Sequence, residues 1–360
     1  MEASGSEYQK AWQRFRRNRP ALFGLWFIAA AVCIAIFAYP LAPDDSTHAN
    51  EQIPEIALHP PGFRVQILQL KLDKTAAASS WFSYLLNGRT LDYKSLPLSP
   101  GALQFSHDSV RFAPYGSPDR LLSLPLHALK QPAPMVKTYP LGADRYGRCM
   151  LSRLILGFRV SLTVGLISVV ISLSIGVAAG ALGGYFGGRT DDLIMLAVNT
   201  VWSIPTLLLV FAVVLALGRG IGIIFLAVGL TLWVDVARVV RGQVLSIKQL
   251  AFIEATKSMG LGRRRILLHH ILPNLLGPVM VVAAGNFATA ILLESGLSYL
   301  GFGVQPPAPS WGSLLNENYG YAISGKPLLA MAPALTLAIT VLAFNLIGNG
   351  LRDAMDVREQ

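Results

Sequence analysis

Six apolar runs, near 21–41, 160–183, 193–217, 221–244, 275–300 and 328–349, alternate with polar segments along the 360-residue chain. Each is close to the ~20 residues that a helix needs to cross the hydrocarbon core of a bilayer. The pattern changes between the first and second runs. There "FRVQILQLKL" and "DSVRFAPY" alternate apolar and polar positions with period two, as half-buried strands do. The chain therefore reads as an all-α polytopic membrane protein with six transmembrane helices and a small β-containing insert over 42–140.

Charge orients the spans. Lys10, Arg14, Arg16, Arg17 and Arg19 precede the first run, which is too long for a signal-peptide core and lacks a small-x-small cleavage site. The positive-inside rule then places 1–20 in the cytoplasm and keeps 21–41 as an anchor. After six crossings the tail 351–360, with Arg352 and Arg358, returns to the same side. The segment 245–270, with Lys248, Lys257, Arg263, Arg264 and Arg265, is likewise expected in the cytoplasm, and 42–140 outside it. Arg145, Arg148, Arg153 and Arg159 fall on the outer side, where charges close to a long loop orient little. Pro205 and Pro333 lie within spans and are expected to kink them.

Composition agrees with a chain solvated by lipid: 53% hydrophobic residues, 14% charged and a mean hydropathy of +0.50. The net charge of +10 follows from topology, and no nucleic-acid reader motif accompanies it. Cys33 and Cys149 make no disulfide framework, and Cys149, in a polar segment, is expected to be accessible to reagents. No Cys/His cluster has metal-site spacing, and the adjacent His269 and His270 would point apart on a helix. "GYAISGK" at 320–326 imitates a phosphate loop, but Pro327 stands where a magnesium-binding Ser or Thr belongs, and no strand precedes it. With no nucleophile beside a base, no HExxH and no paired carboxylates, the sequence offers neither catalytic nor metal residues.

The polar segment "EATKSMGLGRRRILLHHILPN" at 254–274 stands apart from this picture. A short helix over about 249–259, a reversal at Gly260-Leu261-Gly262 and Pro273 opening the next span make a helix–turn–helix at the membrane surface. Physics alone leaves it as either a basic interfacial loop or a docking element. Glu254-Ala255-Thr256, followed at the expected intervals by Gly260 and by Leu272-Pro273, resembles the EAA motif of bacterial ABC importer permeases. "LGADRYGRCMLSRLILGFRVSL" at 141–162, "LSYLGFGVQPPAPSWGSLL" at 297–315 and "NLIGNGLRDAMD" at 345–356 resemble, in order, segments of the dipeptide and oligopeptide subfamily, in its second-permease type.

That resemblance covers the chain from about 141 to the end and implies a permease core over 141–350, with a coupling helix at about 249–262 seated in a groove of a separate ATPase. Glu254, Ala255, Thr256, Gly260, Leu261, Gly262, Leu272 and Pro273 would be the coupling residues. It also implies a second homologous permease, two ATPase subunits that carry ATP and magnesium, an extracytoplasmic solute-binding protein, surrounding membrane lipid, no cofactor on this chain and no nucleic acid. Di- or oligopeptides are the implied cargo; nickel or another small solute, or a scaffold without transport, are the alternatives. Thr256 departs from the second Ala of the motif, His270 from an aliphatic position and Cys149 from a common Asp, while 42–140 has no counterpart.

Polar residues inside the apolar runs complete the candidates. Asp235 and Arg238, three apart, are expected to pair across one helical turn, or else to belong to a solute pathway or gate. Asn199, Asn286, Glu294 and Asn345 serve either inter-helix hydrogen bonds or that pathway.

Overall fold

The computed structural model describes residues 7–72 and 80–355. The basic tail position Arg358, used above for orientation, lies outside the described residues. In chain order the helices are α1 Glu7–Arg17, α2 Arg19–Ile36, α3 Ala38–Leu41, α4 Trp81–Asn87, α5 Met150–Phe186, α6 Gly188–Trp202 and α7 Thr206–Leu217. They continue with α8 Ile221–Ile247, α9 Ala251–Ser258, α10 Arg263–Arg265, α11 Leu276–Tyr299, α12 Trp311–Asn318 and α13 Leu328–Met355. The strands are β1 Phe63–Lys71, β2 Tyr93–Phe105, β3 Ser109–Pro114, β4 Leu122–Pro125 and β5 Met135–Tyr139.

Among the described residues, five helical segments are long and apolar enough to cross a membrane: α2, α5, α8, Arg263–Tyr299 and α13. The third apolar run is bent: it forms two helices, α6 and α7, that meet at 91° and count as a sixth span if taken together. Pro205 does more here than kink a helix. It biases Ile204 away from helical geometry and, with ψ 127°, becomes the extended residue from which α7 starts. Pro333, by contrast, lies in the second turn of α13, which runs unbroken from Leu328 to Met355. At 37 residues, α5 is roughly 55 Å long, well beyond the ~30 Å hydrocarbon core.

The chain divides into two compact units. The first contains 1–31, 161–305 and 336–360. Its close packing uses glycine. Gly176, Gly180 and Gly184 recur every fourth residue along α5, facing α8. A β-carbon at Gly176 would overlap Val236, one at Gly180 the Ala237 carbonyl, and one at Gly184 would lie 2.9 Å from Val244 Cβ. Small residues at this spacing let helix backbones approach closely where no hydrophobic drive separates helix from lipid. A buried cluster of Tyr185, Val244, Ile247, Ile253, Ile266, Ile271 and Leu275 joins the ends of α5, α8 and α9 to the start of α11.

The second unit contains 32–160 and 306–335. Its five-stranded antiparallel sheet has the order β4-β3-β2-β1-β5. Both segments that alternate in sequence are strands, β1 and β3, and their burial alternates over 64–67 and 110–112. One face buries Leu68, Leu98, Val110, Phe112 and Leu129; Val65, Ile67 and Tyr139 pack with Ile53, Ile56 and Cys149. Cys149, expected to be accessible, is thus 1% exposed, and burial pushes its thiol pKa up.

Candidate functional site

The hairpin begins with α9, two turns of helix held by one anchor. Ile253 is fully buried in the cluster joining α5, α8 and α11. Glu254, Ala255 and Lys257 are exposed and Thr256 half-buried, its hydroxyl donating to the Ile253 carbonyl at 2.8 Å. Leu250, Phe252 and Met259 also expose apolar side chains, Met259 to 77%. The outward side of this eight-residue helix thus carries a carboxylate beside bare apolar surface.

Gly260 stops α9. Its φ of +76° is left-handed, its N–H donates to the Lys257 carbonyl at 2.9 Å, and the Leu261 N–H donates to the Thr256 carbonyl at 3.3 Å. These two bonds form a Schellman cap, which requires a positive φ at the glycine position. Leu261 then packs against the buried cluster, and Gly262 accepts from the amides of Arg265 and Ile266. A π-helical turn over Ile266–Ile271 and a 3-10 turn over Leu272–Leu275 lead into α11. Pro273 sits at the first turn of that segment, where it lacks only a donor with no helical partner. Leu272 packs on the cluster, Pro273 is exposed, and His270 contributes its carbonyl to Asn274 Nδ2 at 2.6 Å. Ile253 and Leu261 thus pack α9 and its turn against the ends of α5 and α8 and the start of α11.

The intramembrane polar residues separate into two kinds. Asn286 is buried and donates to the Leu232 carbonyl at 3.3 Å, linking α11 to α8. Glu294, fully buried, accepts from Ser298 Oγ at 2.7 Å and from Ser161 Oγ at 3.2 Å. Asn199, Asp235 and Asn345 are exposed on the surface of the chain, and Arg238 is half-exposed. The expected Asp235–Arg238 pair is absent from the ion pairs among the described residues. Arg238 instead turns to α6, donating to Asn199 Oδ1 at 3.0 Å with its guanidinium 4.0 Å from the Trp202 ring centroid. A planar cation over indole gains from the ring quadrupole what it forgoes with the carboxylate.

Sequence reasoning missed a buried ion cluster in the second unit. Asp144 Oδ2 accepts from Arg148 Nε at 2.7 Å and Arg153 Nη1 at 3.1 Å, while its Oδ1 caps the Tyr146 and Arg148 amides. Glu317 Oε2 accepts from Arg148 Nη2 and Arg153 Nη1, both at 2.5 Å. Asp144 and Arg153 have no exposed surface, and Arg148 has 3%. Two cations balance two anions, which is how buried charge is tolerated. The i and i+4 spacing of Asp144 and Arg148 was a usable signal; the reach to Glu317 was not. Lys326 of the imitation phosphate loop gives its ammonium to the Leu58 carbonyl at 2.6 Å.

Comparison with known proteins gives this geometry a family. Residues 172–359 match the model described as binding-protein-dependent transport system inner membrane component, and 6–61 match the N-terminal TM domain of oligopeptide transport permease C. The chain is 43% identical over 229 residues to an oligopeptide transport system permease protein of Haemophilus influenzae, covering 63% of this chain and 73% of that one. It is 39% identical over 264 residues to the corresponding Escherichia coli K12 protein, covering 73% of this chain and 82% of that one. A glutathione transport system permease protein of Pectobacterium atrosepticum is 41% identical over 216 residues, 60% of this chain and 71% of its own length. The chain belongs to the binding-protein-dependent transport system inner membrane components, the non-enzymatic permease subunits of ABC importers.

Proposed function

We propose that this permease forms, with a second homologous permease, the translocation pathway of an ATP-driven importer whose cargo is a di- or oligopeptide. Six crossings, with α6 and α7 together as the third, put the N-terminus, α9 and the C-terminus in the cytoplasm and 42–140 outside, where a solute-binding protein delivers cargo. The core over 141–350 carries the pathway. ATP and magnesium act on two partner ATPases, one of which receives α9 in its groove. Peptide cargo is supported by what the relatives' names specify, oligopeptides and glutathione.

The single observation that carries the coupling role is α9 itself, exposed on its outer side and locked through Ile253 and Leu261 to the cluster joining α5, α8 and α11. Glu254, Ala255 and Thr256 give the surface that meets the ATPase; Gly260 and Gly262 shape the turn; Leu272 and Pro273 lead into α11. In the membrane, Asn199, Asp235, Arg238 and Asn345 face away from the chain's own interior. A charge there is too costly to leave in lipid, so this surface borders the water-filled pathway or the second permease. Asn286 and Glu294 act as inter-helix hydrogen-bonding groups instead.

Gly260→Val tests the coupling role. No atom lies within 4 Å of a β-carbon built there, so the substitution strains only the left-handed backbone, by about 1–2 kcal/mol. The expected outcome is normal membrane insertion with binding-protein-stimulated ATP hydrolysis and peptide uptake both greatly reduced in reconstituted complex. Full uptake by that variant would remove the assignment.

A further inference from the structure

A cavity of about 420 Å³ opens beneath the α9 turn. Tyr185 and Phe186 at the end of α5, Lys248 just past α8, Lys257 on α9, and Leu261 and Arg263 beyond the turn line it. Three cations share this wall, and no carboxylate does. Lys248 Nζ donates to the Tyr185 carbonyl at 2.7 Å, which uses one of its three protons. Neither Lys257 nor Arg263 enters an ion pair among the described residues. Like charges converging on one concavity repel each other until an anion enters.

The other wall is apolar. Phe186 is half-exposed and meets Tyr185 edge-on at 5.3 Å, Leu261 is half-buried, and Ile266 lies behind it. Aromatic side chains at the end of a membrane-spanning helix mark the level of lipid headgroups. A site cationic on one side, apolar on the other and placed at that level fits a phosphodiester with its glycerol attached. A basic pocket between helix ends recognises such headgroups by charge and by hydrogen bonding to phosphate oxygens.

We propose that this cavity binds a phosphate anion, presented by an acidic phospholipid of the membrane, and thereby ties Lys248 beyond α8 to Lys257 and Arg263 on the hairpin. The site rests on the reading of the hairpin as a membrane-boundary element. It adds a ligand: an anion held at the joint through which α9 moves the spans, so that acidic lipid stiffens the joint.

The purified full-length chain in nanodiscs tests it, with phosphatidylglycerol titrated into phosphatidylcholine and retained lipid counted by native mass spectrometry. The variants are Lys257→Gln with Arg263→Gln, and a control of equal charge change, Arg264→Gln with Arg265→Gln, at exposed positions that do not line the cavity. The expected result is retained phosphatidylglycerol on the wild type and the control, and retention about fivefold weaker per cation removed from the cavity. Competition by millimolar inorganic phosphate in detergent, without preference for phosphatidylglycerol, assigns the same site to free phosphate. Equal loss in the two variants, or no retention of either anion by the wild type, overturns the proposal. No ATPase is present, so failure here leaves the Gly260→Val outcome untouched, and failure of coupling leaves lipid retention untouched.

Discussion

Glu317 makes the strongest residue-level case. Burial alone would raise its pKa, but hydrogen bonds and charge from Arg153, and then from Arg148, overcome that cost and hold it below the ordinary carboxylate value. A carboxylate with a depressed folded pKa stabilises the fold fully above its unfolded pKa, and that contribution is lost as pH falls through the folded value. Acid should therefore weaken the second unit below about pH 4, the ordinary carboxylate range. Glu317→Gln leaves Asp144 as the carboxylate that Arg148 and Arg153 share. Breaking a buried pair from one side costs about 3–5 kcal/mol. Thermal unfolding of the detergent-solubilised chain should show a lower midpoint at pH 7 and a flatter acid limb for this variant; identical midpoints and acid limbs would show that Glu317 contributes nothing to stability. The cluster was only half legible beforehand. Asp144, Arg148 and Arg153 lie within nine residues of one another, but Glu317 is 164 residues from Arg153, a separation that no local spacing encodes. Arg238 shows the complementary limit: spacing offered Asp235, while Asn199 and Trp202 on a neighbouring helix won it.

At the level of elements, local rules performed best where one backbone device decides the outcome. Gly260 was readable as a reversal because a Schellman cap needs the left-handed conformation that glycine supplies without strain, and both strands with period-two patterns formed. The third span was harder. Hydropathy integrates over 193–217 and cannot see that Pro205 starts a new helix at 91° to the old one. The glycine repeat on α5 was present in the sequence as well, but its meaning depends on which helix faces it, and that helix is α8. Gly180→Leu should accordingly be far worse than Gly242→Leu on α8, since a β-carbon at Gly242 meets nothing within 4 Å. Overpacking of this kind costs about 1–3 kcal/mol, occasionally more. The expected outcome is a clear fall in thermal stability and in yield of detergent-solubilised chain for Gly180→Leu, with little change for Gly242→Leu. Equal behaviour of the two would show that α5 and α8 do not rely on this contact.

For the whole molecule, the open quantity is sidedness, because helices and sheet are compatible with either orientation and only charge distribution chooses. On the topology proposed above, the basic residues before α2 and those from Lys248 to Arg265 lie in the cytoplasm and 42–140 outside it. Two positions report on this without disturbing packing: Lys257 on α9 and Ser117 after β3 are both exposed. Cys33 is exposed on α2 and is first replaced by Ser, whereas Cys149 is buried, and its thiol pKa is raised, so it can stay. In intact cells a membrane-impermeant maleimide should label Ser117→Cys at once and Lys257→Cys only after the membrane is opened. The measurement is the ratio of labelling before and after permeabilisation, expected near one for Ser117→Cys and near zero for Lys257→Cys. Reversed ratios would place α9 where no ATPase can reach it, and the coupling assignment and the outer position of 42–140 would have to be redrawn together.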